Sequence, residues 1–201
     1  MKKTILLSTM VLASTAAFAQ REVGKFTAHP KMGINLANLI DPDGTDNIRM
    51  GLVIGGELEY QVAKIFSVSL GALYSQQGAK TTADIDTDYG IWSGDVTLRL
   101  DYINIPVLAN VYLAKGFAIK AGIQPCFKIN SAVKVKVDGT SITTSVSGVK
   151  RVDFAIPVGL SYEYGNLVLD TRYNMGITKI VDTDKLYNIV VQMTMGYKFD
   201  L

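Results

Sequence analysis

From Tyr187 to Phe199 every second residue is large and apolar: Tyr187, Ile189, Val191, Met193, Met195, Tyr197 and Phe199. Between them stand Asn188, Val190, Gln192, Thr194, Gly196 and Lys198, most of them polar or small. A period of two puts the two sets on opposite faces of an extended strand, which must therefore lie between two unlike environments. The pattern recurs along the chain. Met32, Ile34 and Leu36 alternate with Lys31, Gly33 and Asn35, and similar runs cover 50–62, 66–74, 103–113, 117–123, 154–162 and 167–175. This predicts eight strands. In the fourth, Leu98 and Leu100 fall out of phase with Ile103, so a β-bulge is expected near Asp101.

The connections alternate as well. Tight turns are expected at Ala63-Lys64, Lys115-Gly116 and Gly165-Asn166, and long polar connections near Asn38–Arg49, Gly78–Asp95, Asn130–Arg151 and Ile177–Leu186. Short turns on one rim and long loops on the other are the layout of barrels that cross an outer membrane. Within the third long connection Val133, Val135 and Val137 alternate with Lys134 and Lys136. Asp138-Gly139 is a favoured hairpin turn there. The fifth and sixth strands are therefore expected to continue as a protruding ribbon.

Alternation alone does not say which face points outward, because a soluble lipocalin-like barrel alternates too. Three features favour lipid outside. The polar face collects charges of both signs: Lys31, Glu57, Glu59, Lys120, Lys128, Asp153, Glu163, Asp170, Arg172 and Lys198. These can pair across a lumen. The same face carries Gly33, Gly51, Gly55, Gly71, Gly122, Gly159 and Gly196, small residues that suit a narrow interior. Aromatic residues near the strand ends on the apolar face, among them Tyr60, Phe66, Phe117, Tyr162 and Tyr197, fit interfacial girdles. The expected fold is all-β: an eight-stranded antiparallel up-and-down transmembrane β-barrel, with residues 20–201 as one barrel domain.

Residues 1–19 read as a signal peptide. Lys2 and Lys3 precede a largely apolar stretch, and Ala17-Phe18-Ala19 presents small residues at the cleavage positions. Cleavage would remove two of the twenty basic residues and leave eighteen against eighteen acidic ones. A neutral mature chain argues against a nucleic-acid partner. Cys126 is the sole cysteine, so no intrachain disulfide forms, and a buried thiol is expected.

Several stretches resemble the PorT-like family of outer-membrane β-barrel domain proteins. They are Leu73-Tyr74-Ser75-Gln76-Gln77-Gly78-Ala79-Lys80, Tyr102-Ile103-Asn104-Ile105-Pro106-Val107, Ala121-Gly122-Ile123-Gln124, Arg172-Tyr173-Asn174-Met175-Gly176 and Gly196-Tyr197-Lys198-Phe199. The resemblance implies the barrel fold and an outer-membrane location. It says little about activity, although some members are linked to protein secretion.

No nucleophile motif, phosphate loop or Cys/His metal spacing is present, and His29 is the only histidine. No enzyme and no cofactor is expected. Asp84, Asp86 and Asp88 are weak candidates for a divalent cation, and Asp41, Asp43 and Asp46 are read as solvated turn residues. Lys134, Lys136, Asp138 and Gly139 form a candidate partner-binding ribbon. The sequence thus points to a monomer in outer-membrane lipid with a structural or interaction role through its extracellular loops, where a protein or glycan partner could bind. The interior charges are expected to plug the lumen. A narrow channel for ions or small solutes is the alternative, and a periplasmic ligand-binding barrel is a further one.

Overall fold

The computed structural model describes residues 21–40, 47–87, 90–137, 140–146, 148–179 and 187–201. Within them the chain forms β1 (Phe26–Ile40), β2 (Asn47–Ala63), β3 (Phe66–Thr87), β4 (Gly90–Asn104), β5 (Val107–Ala114) and β6 (Phe117–Val137). It continues with β7 (Thr140–Ser145), β8 (Val152–Tyr164), β9 (Leu167–Gly176), β10 (Tyr187–Tyr197) and β11 (Phe199–Asp200). All pairings are antiparallel, and β1 meets β10 along Lys31↔Gly196 to Ile40↔Tyr187, which closes the sheet on itself. The ring has eight wall positions, because β4 and β5 share one place between β3 and β6, β7 and β8 share the next place beside β6, and β10 and β11 share another beside β1. Closure leaves no unpaired edge in the wall, which strands in lipid require.

The faces sort as the alternation predicts. Met50, Leu52, Ile54 and Leu58 on β2 point outward, Met50 at 68% exposure, while Glu57 and Glu59 between them are buried at 3% and 2%. A protein whose acids are inside and whose methionines and leucines are outside is stable only where the surrounding solvent is apolar. At the short-turn rim the outward aromatics gather into a girdle. The rings of Phe26 and Tyr60 lie 4.6 Å apart, and those of Tyr197 and Phe199 lie 4.8 Å apart.

Three differences from the sequence reading have physical causes. The strands are longer than a bilayer needs: β3 and β4 pair from Leu73↔Asn104 to Thr87↔Gly90, so most of the expected connection Gly78–Asp95 is strand. Its Thr, Asp and Gly content reads as loop, yet hydrogen bonding to the neighbouring strand holds it extended. The fourth wall strand is interrupted at Ile105–Pro106, where Gly71 N donates to Pro106 O at 2.9 Å and Ile105 N to Pro125 O at 2.9 Å. Proline lacks the N–H that would continue the ladder. The first tight turn is Lys64-Ile65 rather than Ala63-Lys64, since Ala63 pairs with Phe66.

The expected bulge is present: the β4–β6 register shifts between Asp101 and Tyr102, with Ile129 as the extra residue. Gly71 and Gly159 make room for the inward Glu57 and Arg172 side chains, as a narrow interior requires, and other glycines have a further reason. A Cβ on Gly33 would run into the Met193 carbonyl, and one on Gly122 into that of Val107, so close approach of neighbouring backbones demands glycine there. Gly78 adopts φ +122° beside the β2–β3 register shift between Ile48 and Val53, a conformation that favours glycine.

Candidate functional site

The inward side chains form layers. The deepest is a five-member charge cluster contributed by four strands. Arg172 on β9 reaches across to Glu57 on β2 with both guanidinium nitrogens, at 2.5 and 2.8 Å, and also donates to Asp170 at 2.7 Å. Lys31 on β1 bonds Glu57 at 2.7 Å, and Lys120 on β6 bonds Asp170 at 3.0 Å. Every member is almost fully buried; Arg172 is 1% exposed. In-plane pairing of guanidinium with carboxylate compensates the cost of burying these charges. The period of two makes this arrangement possible. It aims Glu57 and Arg172 inward from strands on different sides of the ring.

A second layer closes the mouth at the short-turn rim. Arg21, on the segment before β1, donates to the Tyr112 hydroxyl at 2.9 Å and to Glu59 at 3.3 Å, and pairs with Glu163. Its guanidinium carbon lies 4.2 Å from the Tyr112 ring centroid. The Tyr112 hydroxyl donates to Glu59 at 2.5 Å, Ser67 donates to the same carboxylate at 2.7 Å, and Lys198 holds Glu163 at 3.0 Å. Beside it opens a cleft of about 160 Å³ whose walls include Arg21, Lys25, Glu59 and Lys198. His29 is buried, with Nε2 2.9 Å from the Thr27 hydroxyl and Nδ1 4.0 Å from Glu59.

Toward the other end the lining changes to amides and hydroxyls. Asn35 and Gln77 both donate to Ser75 Oγ at 2.8 Å, and Asn188 donates to Gln77. Several polar atoms there have no protein partner, including both amide atoms of Asn104 and the Asn188 amide oxygen. Above them an apolar cluster caps the lumen: Leu39, Ala79, Leu100, Tyr102, Cys126, Val149 and Ala155. The Cys126 thiol is buried within it.

Of the ten charges read as lumenal, eight join the two layers. Lys128 and Asp153 do not. Lys128 donates to the Val149 carbonyl at 2.6 Å near the far rim, and Asp153 accepts from Thr178 and from the Phe154 amide. Arg21 and Tyr112 were absent from the predicted set. Tyr112 lies in the inward phase of β5 with Asn110 and Leu108, so the alternation contained its signal, whereas Arg21 precedes every alternating run. Lys134 and Lys136 lie on β6 opposite Thr143 and Ser141 of β7, and Asp138 and Gly139 fall outside the described residues. Asp84 and Asp86 stand on β3 in register with Ser93 and Ile91. Asp88, Asp41, Asp43 and Asp46 fall outside the described residues. Among the described residues no three His, Cys, Asp or Glu side chains are placed to hold a metal ion.

A family model described as outer membrane protein beta-barrel domain matches residues 18–182. The chain belongs to that family. One solved structure agrees with the barrel. Neisserial surface protein A is 14% identical with a TM-score of 0.51, over 87% of this chain and 97% of that one. Ail, the attachment invasion locus protein of Yersinia pestis, is 15% identical with a TM-score of 0.49, over 89% of this chain and all of that one. At such identities the likeness concerns the fold alone. No curated protein matches the sequence. Membership of the outer-membrane barrel family identifies the apolar outer band as lipid-facing and the short-turn rim as the periplasmic one.

Proposed function

We propose that this outer-membrane β-barrel protein does not conduct and acts instead through the sheet that β3, β4, β6 and β7 raise beyond the extracellular rim. The lumen charge network carries this reading. Glu57, Asp170 and Arg172 bridge the interior from wall to wall, and Arg21 closes the periplasmic mouth below them. A file of mobile ions would have to break buried pairs at both levels. The extended sheet, in contrast, presents its hydrogen-bonding strands to the outside.

The chain is read as exported by a signal peptide cleaved after Ala19. The basic Lys2-Lys3 start, the apolar stretch after it and the small residues Ala17 and Ala19 support this. The Tyr74-Ser75-Gln76-Gln77 stretch supports a PorT-like member. The chain is read as a non-enzyme; the single histidine, enclosed by Thr27 and Glu59, joins no catalytic constellation among the described residues.

Purified protein in planar bilayers is expected to give no steady single-channel current; sustained ohmic steps would replace this reading with the narrow channel. Mass measurement of protein taken from outer membranes is expected to give a chain that begins at Gln20.

A further inference from the structure

The extracellular sheet has the order β3-β4-β6-β7, and its two outer strands differ in direction. β2 accompanies β3 only as far as Asn47↔Lys80, and β8 accompanies β6 only as far as Phe127↔Val152. Beyond those points, among the described residues, no strand covers Thr81–Thr87 of β3 or Thr140–Ser145 of β7. Natural edge strands are usually guarded by lysine, proline or a bulge. β7 reads Thr-Ser-Ile-Thr-Thr-Ser, has none of these, and runs in unbroken register with β6 from Ala132↔Ser145 to Val137↔Thr140. Ser141 to Ser145 are all exposed. This edge is a template for another strand.

We propose that the β7 edge of one copy takes the β3 edge of a neighbouring copy, so that barrels join head to tail in rows along the outer leaflet. The inference rests on the reading that this sheet stands outside the membrane. Strand direction selects the pair. Within the ring β3 and β6 ascend from the periplasmic rim, while β4 and β7 descend. Copies in one membrane share the same upright orientation. Two β7 edges can then meet only in parallel, since an antiparallel pair would need one barrel inverted. Antiparallel ladders are the more stable. The ascending strand with an open edge is β3, and its seven residues Thr81–Thr87 are a fair match for the six of β7.

Charge agrees with direction. The β3 segment carries Asp84 and Asp86 and no base. The strand beside β7 carries Lys134 and Lys136, neither of them ion-paired among the described residues. A contact between two different edges of one chain leaves one edge of each kind free on every dimer, so further copies add at both ends and build rows.

The test uses full-length protein in its own outer membrane. One set of chains carries Thr143→Cys and another carries Ala83→Cys; both are treated with a short bis-maleimide. The native Cys126 is buried, and the unaltered protein serves as control. Crosslinked dimer is expected only when the two sets are co-expressed, and a chain carrying both substitutions is expected to give a ladder of higher species. Lys134→Glu with Lys136→Glu should lower the yield severalfold, and Asp84→Lys with Asp86→Lys in the partner should restore it. Dimer from Thr143→Cys chains alone would overturn the proposal in favour of a symmetric contact. Absence of dimer from the mixture, or a yield indifferent to charge reversal, would also overturn it. The unboiled gel that separates the ladder reports barrel closure by its mobility shift. A lost ladder with a retained shift therefore counts against the rows alone, and a lost shift counts against the membrane barrel itself.

Discussion

The two halves of the lumen fill the same narrow space with different chemistry. The periplasmic half is built from full charges whose partners lie on other strands, as in Arg172 with Glu57 or Arg21 with Glu163. The extracellular half is built from amides with incomplete partnerships, as in Asn104 and Asn188, under an apolar cap centred on Leu100 and Val149. Removing one member of a buried ion pair leaves an uncompensated charge, whereas removing an amide that has no partner removes a liability. Stability should therefore concentrate toward the periplasmic side.

Four substitutions test that contrast, each read as the urea midpoint of detergent-folded protein from the unboiled band. Arg172→Ala strands Glu57 and Asp170 and is expected to cost about 3–5 kcal/mol. An unchanged midpoint would mean that water solvates the cluster and that the halves are alike. Leu100→Ala opens a cavity in the cap, with an expected loss of about 2–3 kcal/mol. A loss as large as that of Arg172→Ala would place the cap on a par with the ion pairs. Arg21→Ala is milder, about 1 kcal/mol, because its side chain is 19% exposed and Lys198 still holds Glu163. Asn104→Leu is expected to stay within about 1 kcal/mol of the unaltered protein. A cost comparable to that of Arg172→Ala would show that hidden partners satisfy the amide, and the contrast would fail.

What could be read from the sequence follows the same division. Inward phase alone identifies Lys31, Glu57, Lys120, Asp170 and Arg172, because a strand's period of two is rigid once one face is buried. The bulge lies at Asp101 as expected, but its extra residue is Ile129 on β6; Leu100, Tyr102 and Asn104 all stay inward, so Leu98 and Leu100 belong to the apolar cap and mark no break in phase. Register across the ring is not legible, so the sequence cannot say that Glu57 meets Arg172 or that Asp153 turns to Thr178 instead. Arg21 escapes because its role comes from a segment with no periodicity. The upper parts of β3 and β4 escape because outside the lipid neither face is forced to be apolar, and the pattern that marks a strand in the membrane disappears. The narrow interior accounts for Gly71 and Gly159, beside Glu57 and Arg172, but the approach of the Met193 backbone to Gly33 is visible only in three dimensions.

The grip on Glu163 bears on assembly. One acid is held by Arg21 from the start of the described chain and by Lys198 from near its end, and the seam between β1 and β10 runs beside them. Contacts so distant along the sequence form late in folding, because the chain between them must be ordered first. Completion of the barrel therefore depends on delivery of its final strand. A copy stalled before β10 docks would keep an open β1 edge and an acid short of one cation. That is a defect at the periplasmic face, where it is open to recognition by folding factors and proteases.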